Sequence, residues 1–70
     1  MNRNGFSVAI YSYRVDRGLS IRQAAKEVGI AHSTYYQAEQ GRLPDILTFR
    51  ALCKWAKIDP RWALNNLEEK

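Results

Sequence analysis

Four side chains with hydrogen-bonding capacity lie close together in the middle of the chain: His32, Ser33, Tyr36 and Gln37. In a helix, residues at i, i+1, i+4 and i+5 lie on one face. That face would offer an imidazole, two hydroxyls and a carboxamide, and no carboxylate. Such a set suits a groove lined with phosphates and base edges, where donors and acceptors are both needed and an acid is repelled. Gln37 suits adenine, because one amide both donates and accepts at a single base edge. Tyr36 suits a phosphate or a thymine methyl, and its plain alternative is an exposed ring. His32 is the only histidine and Cys53 the only cysteine. A metal or catalytic role for His32 would need partners at a ligand spacing, and none stands there. A single cysteine excludes an internal disulfide and any cysteine-rich zinc site. Nothing pairs a nucleophile with a base, so neither an enzyme nor a cofactor is expected.

These groups need a helix to carry them and a scaffold to present it. Ser20 to Gly41 reads as two short amphipathic stretches separated by a tight Gly29-Ile30-Ala31 turn, the pattern of a helix-turn-helix. Ser20 with Gln23 forms an S-x-x-Q capping box that opens the first of the pair. It runs to about Val28, with Ala24, Ala25 and Val28 facing inward, and two successive alanines imply a closely packed neighbour. Gly29 supplies the positive φ of the turn. The second helix spans roughly His32 to Gln40, with Tyr35 and Ala38 inward and Ile30 packing from the turn. Ahead of the pair, Phe6 to Arg17 reads as a helix with Phe6, Ile10 and Tyr13 as its buried stripe, although its β-branched and aromatic residues also permit a strand. Gly18 is placed to end it. After the Arg42-Leu43-Pro44 loop, Asp45 caps a fourth helix to about Lys57, with Phe49, Leu52, Cys53 and Ala56 at core spacing. Asp59-Pro60 restarts a fifth helix carrying Trp62, Ala63, Leu64 and Leu67. The expectation is an all-α, five-helix domain.

The chain has 70 residues and a net charge of +4, with 46% hydrophobic and 26% charged residues. That is one domain, read as residues 1–70, with a core small enough to gain from a partner subunit. The basic balance fits a polyanion. No apolar stretch reaches the ~20 residues of a membrane span, and the first residues have no long apolar run of the signal-peptide kind. The expected setting is soluble and cytoplasmic.

From Tyr13 to about Leu64 the chain resembles the Cro/CI-type (lambda repressor-like) helix-turn-helix family of phage and bacterial repressors. The matching residues are Arg14, Gly18-Leu19-Ser20, Ala25, Gly29-Ile30, Ser33-Thr34, Glu39-Gln40-Gly41, Pro44, Leu52, Ile58 and Trp62. The resemblance implies a five-helix domain that binds operator DNA as a dimer. It implies that Arg14 and Glu39 form a structural ion pair between the first helix and the end of the third, for which the planar guanidinium is well shaped. It places His32, Ser33 and Gln37 where relatives read bases. Four departures accompany it. Ile21 stands where a glutamine often bonds a phosphate, so that contact is lost or passes to Arg22. Ala31 replaces the usual capping Ser or Thr. Lys57 replaces a common glycine. Trp55-Ala56 inverts a small-then-large pair, so the fourth helix would pack or expose its face differently and contribute to a dimer interface.

The resulting expectation is a sequence-specific regulator, a repressor of Cro type, binding the major groove of double-stranded DNA as a homodimer. His32, Ser33, Tyr36 and Gln37 would read bases. Arg22 and Arg42 would hold phosphates, Arg22 beside a helix N-terminus that itself favours an anion. With no room for a sensing domain, regulation would come from concentration, dimerisation or another protein. The rival expectation is an antitoxin or adaptor that binds a protein through Trp55, Trp62, Leu64 and Leu67.

Overall fold

The computed structural model describes residues 4–66, all of whose regular structure is helical. The helices are α1 (Gly5–Asp16), α2 (Ile21–Val28), α3 (His32–Glu39), α4 (Ile46–Ala56) and α5 (Pro60–Asn65). This is the all-α, five-helix arrangement that the resemblance implies, with α2 and α3 as the helix-turn-helix.

Local chemistry explains most of the boundaries. Ser20 caps α2 in a reciprocal box: its side chain accepts from the Gln23 N–H, and Gln23 Oε1 accepts from the Ser20 N–H at 2.8 Å. Asp45 caps α4 by accepting from the Thr48 N–H at 2.7 Å, which holds its carboxyl below the usual carboxylate range. Asp59 caps α5, whose first residue is Pro60. The first helix begins one residue earlier than the apolar spacing indicates. Asn4 and Ser7 form a buried capping box there, Asn4 Oδ1 accepting from the Ser7 N–H at 2.8 Å and Ser7 Oγ from the Asn4 N–H at 2.9 Å. Ala31 precedes α3 with no side-chain cap.

The first four helices end in one way. A residue with positive φ follows each, and the next N–H reaches back five residues: Leu19 to the Arg14 carbonyl, Ile30 to Ala25, Arg42 to Gln37 and Ile58 to Cys53, all at 2.9–3.1 Å. This turn satisfies carbonyls that the helix leaves free, and an apolar residue usually follows the left-handed one. Glycine takes that position three times. At the end of α4 it falls to Lys57 (φ 59°), the one non-glycine residue with positive φ among those described.

The core is formed by Phe6, Ile10, Ala24, Ala25, Tyr35, Ala38, Phe49, Leu52, Cys53, Ala56 and Ala63, with Leu19, Ile30 and Ile58 packed against it. Ala24 and Ala25 are buried as expected, and α2 and α3 form the most extensive helix pair. Cys53 is a buried free thiol whose pKa is pushed up by burial.

Trp55, half-buried, packs within the domain. Its ring meets Tyr13 and Tyr35 edge-on, with centroids 4.8 and 5.7 Å apart. Its indole N–H donates to Glu27 Oε1 at 2.9 Å. Glu27 in turn pairs with Arg17 at 2.8 Å, and the Arg17 guanidinium lies 5.4 Å from the Tyr13 ring centre. One aromatic cluster thereby ties α1, α2, α3 and α4 together. The indole bond, and after it the arginine, hold the Glu27 carboxyl below its usual range.

The two ends of the described chain meet. The Phe6 N–H donates to the Asn66 carbonyl at 3.2 Å. A Cβ on Gly5 would stand 2.6 Å from Asn66 Oδ1, so only glycine fits without a shift. Asn4 Nδ2 also reaches the Gly41 carbonyl at 3.4 Å.

Candidate nucleic-acid interface

Helix α3 is anchored from behind. Tyr35 and Ala38 are buried, and the Tyr35 hydroxyl donates to the Ile10 carbonyl at 3.4 Å. Burial drives the pKa of Tyr35 well above the ordinary tyrosine value. Glu39 is 1% exposed and meets Arg14 through a two-pronged pair, Nε to Oε2 at 2.7 Å and Nη2 to Oε1 at 3.2 Å. The remaining prong, Nη1, donates to the Leu19 carbonyl at 2.9 Å. The hydrogen bond to Glu39 is the largest cause of Arg14's raised pKa, so its charge is secure. The pair joins α1 to the end of α3 and to the residue before the α2 cap, and it lies away from the polar face.

With Tyr35, Ala38 and Glu39 inward, the helical period turns His32, Ser33, Tyr36 and Gln37 outward, and all four are exposed. They fall in two one-turn pairs, His32 with Tyr36 and Ser33 with Gln37. Arg42 joins them: its N–H bonds the Gln37 carbonyl at 3.1 Å, folding the loop back beside α3. Gln37 and Arg42 then line one cleft with Thr34, Ala38, Leu43, Pro44, Thr48 and the α4 cap Asp45. Arg22 is exposed in the first turn of α2 and does not line this cleft.

Two features of the site escape a reading by periodicity. Thr34 is half-buried in the cleft wall, between the outward and inward rows. Arg42 occupies the position that Leu19, Ile30 and Ile58 occupy after the other three helices. Those three pack on the core, and the arginine is exposed. A local rule broken at one of four equivalent turns points to function. The signal was present in the sequence as Gly18-Leu19, Gly29-Ile30 and Lys57-Ile58 set against Gly41-Arg42.

Among the described residues no group of three or more His, Cys, Asp or Glu side chains is placed to hold a metal, and no helix is long and apolar enough to cross a membrane. Trp62 and Leu64 of α5 are exposed, and Leu67 lies outside the described residues.

An exposed polar helix, packed against α2 through the Gly29 turn, has the form of a helix-turn-helix. The family comparison agrees: a family model described as helix-turn-helix matches residues 10–68. The chain belongs to the Cro/CI-type helix-turn-helix family of DNA-binding transcription regulators. Comparison with curated proteins and with solved structures gives no match.

Proposed function

We propose that this protein is a sequence-specific repressor of Cro type that binds a palindromic operator as a homodimer in the cytoplasm. Helix α3 enters the major groove, and two copies read half-sites about one helical turn apart. His32, Ser33, Tyr36 and Gln37 read base edges. Arg22 and Arg42 hold phosphates, fixing register and making affinity salt-dependent. The observation that carries this reading is the juxtaposition of Gln37 and Arg42 in one cleft, which the capping Asp45 also lines, beside the exposed His32, Ser33, Tyr36 and Gln37 of α3, none of them an acid. Repression then requires no chemistry, only occupancy of the operator.

The test is selection of bound duplexes from a randomised pool at about physiological salt, where charge alone is screened. The expected result is a palindromic motif whose recovery Gln37→Ala weakens at defined positions. Recovery of no motif, with weak and steeply salt-dependent binding, refutes sequence-specific repression by this chain. The adaptor reading rests on the exposure of Trp62 and Leu64. Trp55 is half-buried, and its N–H is engaged by Glu27.

A further inference from the structure

Helix α4 covers the core with one face and leaves the other bare. Leu47, Arg50, Ala51 and Lys54 recur at the spacing of a single helical stripe, and all but the half-buried Ala51 are exposed. Two open hollows of about 380 and 340 Å³ flank the Ala51–Lys54 ridge. The one toward α5 is lined by Arg50, Ala51, Cys53, Lys54, Ile58 and Pro60. The one toward α2 is lined by Glu27, Val28, Ala51, Lys54 and Trp55. Both have apolar floors, and cations stand on the ridge between them.

Those cations have no acid to meet. The ion pairs among the described residues are Arg14–Glu39 and Arg17–Glu27, so Arg50 and Lys54 stand outside both. Lys57 and Arg61 are exposed beyond them and extend the positive field. Asp59, the acid at this end of α4, lines neither hollow and accepts from the Arg61 N–H at 3.0 Å as the cap of α5. Glu27 is held by the Trp55 N–H and by Arg17. Neither hollow shares a residue with the cleft of Gln37 and Arg42, so this surface is separate from the one read above as facing DNA.

We propose that this face of α4 docks an acidic amphipathic helix of another protein. Apolar side chains of that helix fill the two hollows, and its carboxylates meet Arg50 and Lys54. A helix laid in a groove is recognised by such a stripe of anchors, with charges at the edge setting orientation and partner choice. Ala51 has the smallest side chain of the stripe and lets the partner approach closely between the hollows. A phosphate backbone would satisfy the cations but leave the floors of Ile58, Pro60, Val28 and Trp55 uncovered. A second copy of a chain of net charge +4 brings the wrong sign. The proposal does not depend on operator reading.

The probe is a helical peptide of about 18 residues with a leucine stripe flanked by glutamates. It is titrated to about 1 mM into the isotope-labelled full chain at about 0.15 M salt, and amide and indole NMR signals are followed. Shifts are expected from Leu47 to Arg61 and at Val28. Arg50→Glu/Lys54→Glu should weaken binding at least about tenfold, because attraction becomes repulsion. Replacing every glutamate of the peptide by glutamine should weaken it by at least about tenfold as well. Lys26→Glu, exposed and outside both hollows, should change it by less than about twofold. Matching melting temperatures confirm that each variant is folded. No shift up to the highest peptide concentration overturns the proposal, as does equal binding by the charge-reversed chain or by the glutamine peptide. Two further results overturn it by naming another occupant. The same signals moving with the concentration of the chain alone would assign the face to a second copy, and their moving more readily with unrelated duplex DNA would assign it to nucleic acid.

Discussion

Removing the Glu39 carboxylate should cost this domain much of its stability. Glu39 is 1% exposed, and its partner Arg14 keeps only 15% of its side-chain surface. In Glu39→Ala the guanidinium loses both carboxylate bonds while remaining largely out of water. Breaking one partner of a buried pair costs about 3–5 kcal/mol. Arg14 keeps its bond to the Leu19 carbonyl, so the lower end, about 3 kcal/mol, is the working value. A domain of this length holds only about 4–10 kcal/mol in total. At about 4–8 °C per kcal/mol, the melting temperature should fall by roughly 12–24 °C. Thermal melts followed by circular dichroism, with urea titration as a second measure, give the answer. The double variant Arg14→Met/Glu39→Met should recover most of the loss, because an apolar pair of similar volume leaves no charge stranded. A melting temperature within about 4 °C of wild type for Glu39→Ala would refute the reasoning.

Further expectations follow from the caps, the turns and the charges. Ala31→Ser should supply the missing cap of α3 and add about 1 kcal/mol, seen as a rise of roughly 4–8 °C in the melt; no rise would show that the turn cannot present a hydroxyl to the α3 N–H groups. Lys57→Gly should add roughly 0.5–1 kcal/mol by urea titration, since a left-handed backbone strains lysine more than the extra freedom of unfolded glycine costs; a loss would mean that the lysine chain packs usefully on its neighbours. Glu27 has a folded pKa below its unfolded value, so its contribution is complete above the usual carboxylate range and disappears as pH falls through the folded value. Acidification from about pH 5 to 3 should therefore lower the melting temperature of the wild type more than that of Glu27→Gln, and parallel slopes would remove Glu27 from the account.

What could be read from the sequence was local. Ser20 with Gln23, Asp45, Asp59-Pro60 and Gly29 each act within a few residues, so the helices they bound could be placed by spacing alone. The outward set on α3 was legible for a related reason: once Tyr35 and Ala38 are assigned inward, the 3.6-residue period fixes the rest. Contacts between distant residues were not legible. The indole of Trp55 bonds a carboxylate 28 positions away, and nothing near Trp55 signals it. The Asn4–Ser7 box is local, but it lies ahead of the apolar stripe of α1, which begins only at Phe6. The loop fold that sets Arg42 beside Gln37 depends on a backbone bond that charge counting does not detect.

Because the Phe6 N–H meets the Asn66 carbonyl and Asn4 reaches Gly41, both ends of the described chain sit beside the loop that carries Arg42. The fold is thus nearly a ring in sequence. A short linker from 66 to 4 would close it, and a new opening at Gly18, where added bulk meets open space, would give a circular permutant with its termini moved to the end of α1. Cargo joined at residue 4 or 66 departs from the neighbourhood of the Gly41–Arg42 turn, whereas cargo carried at Gly18 leaves from the α1–α2 turn.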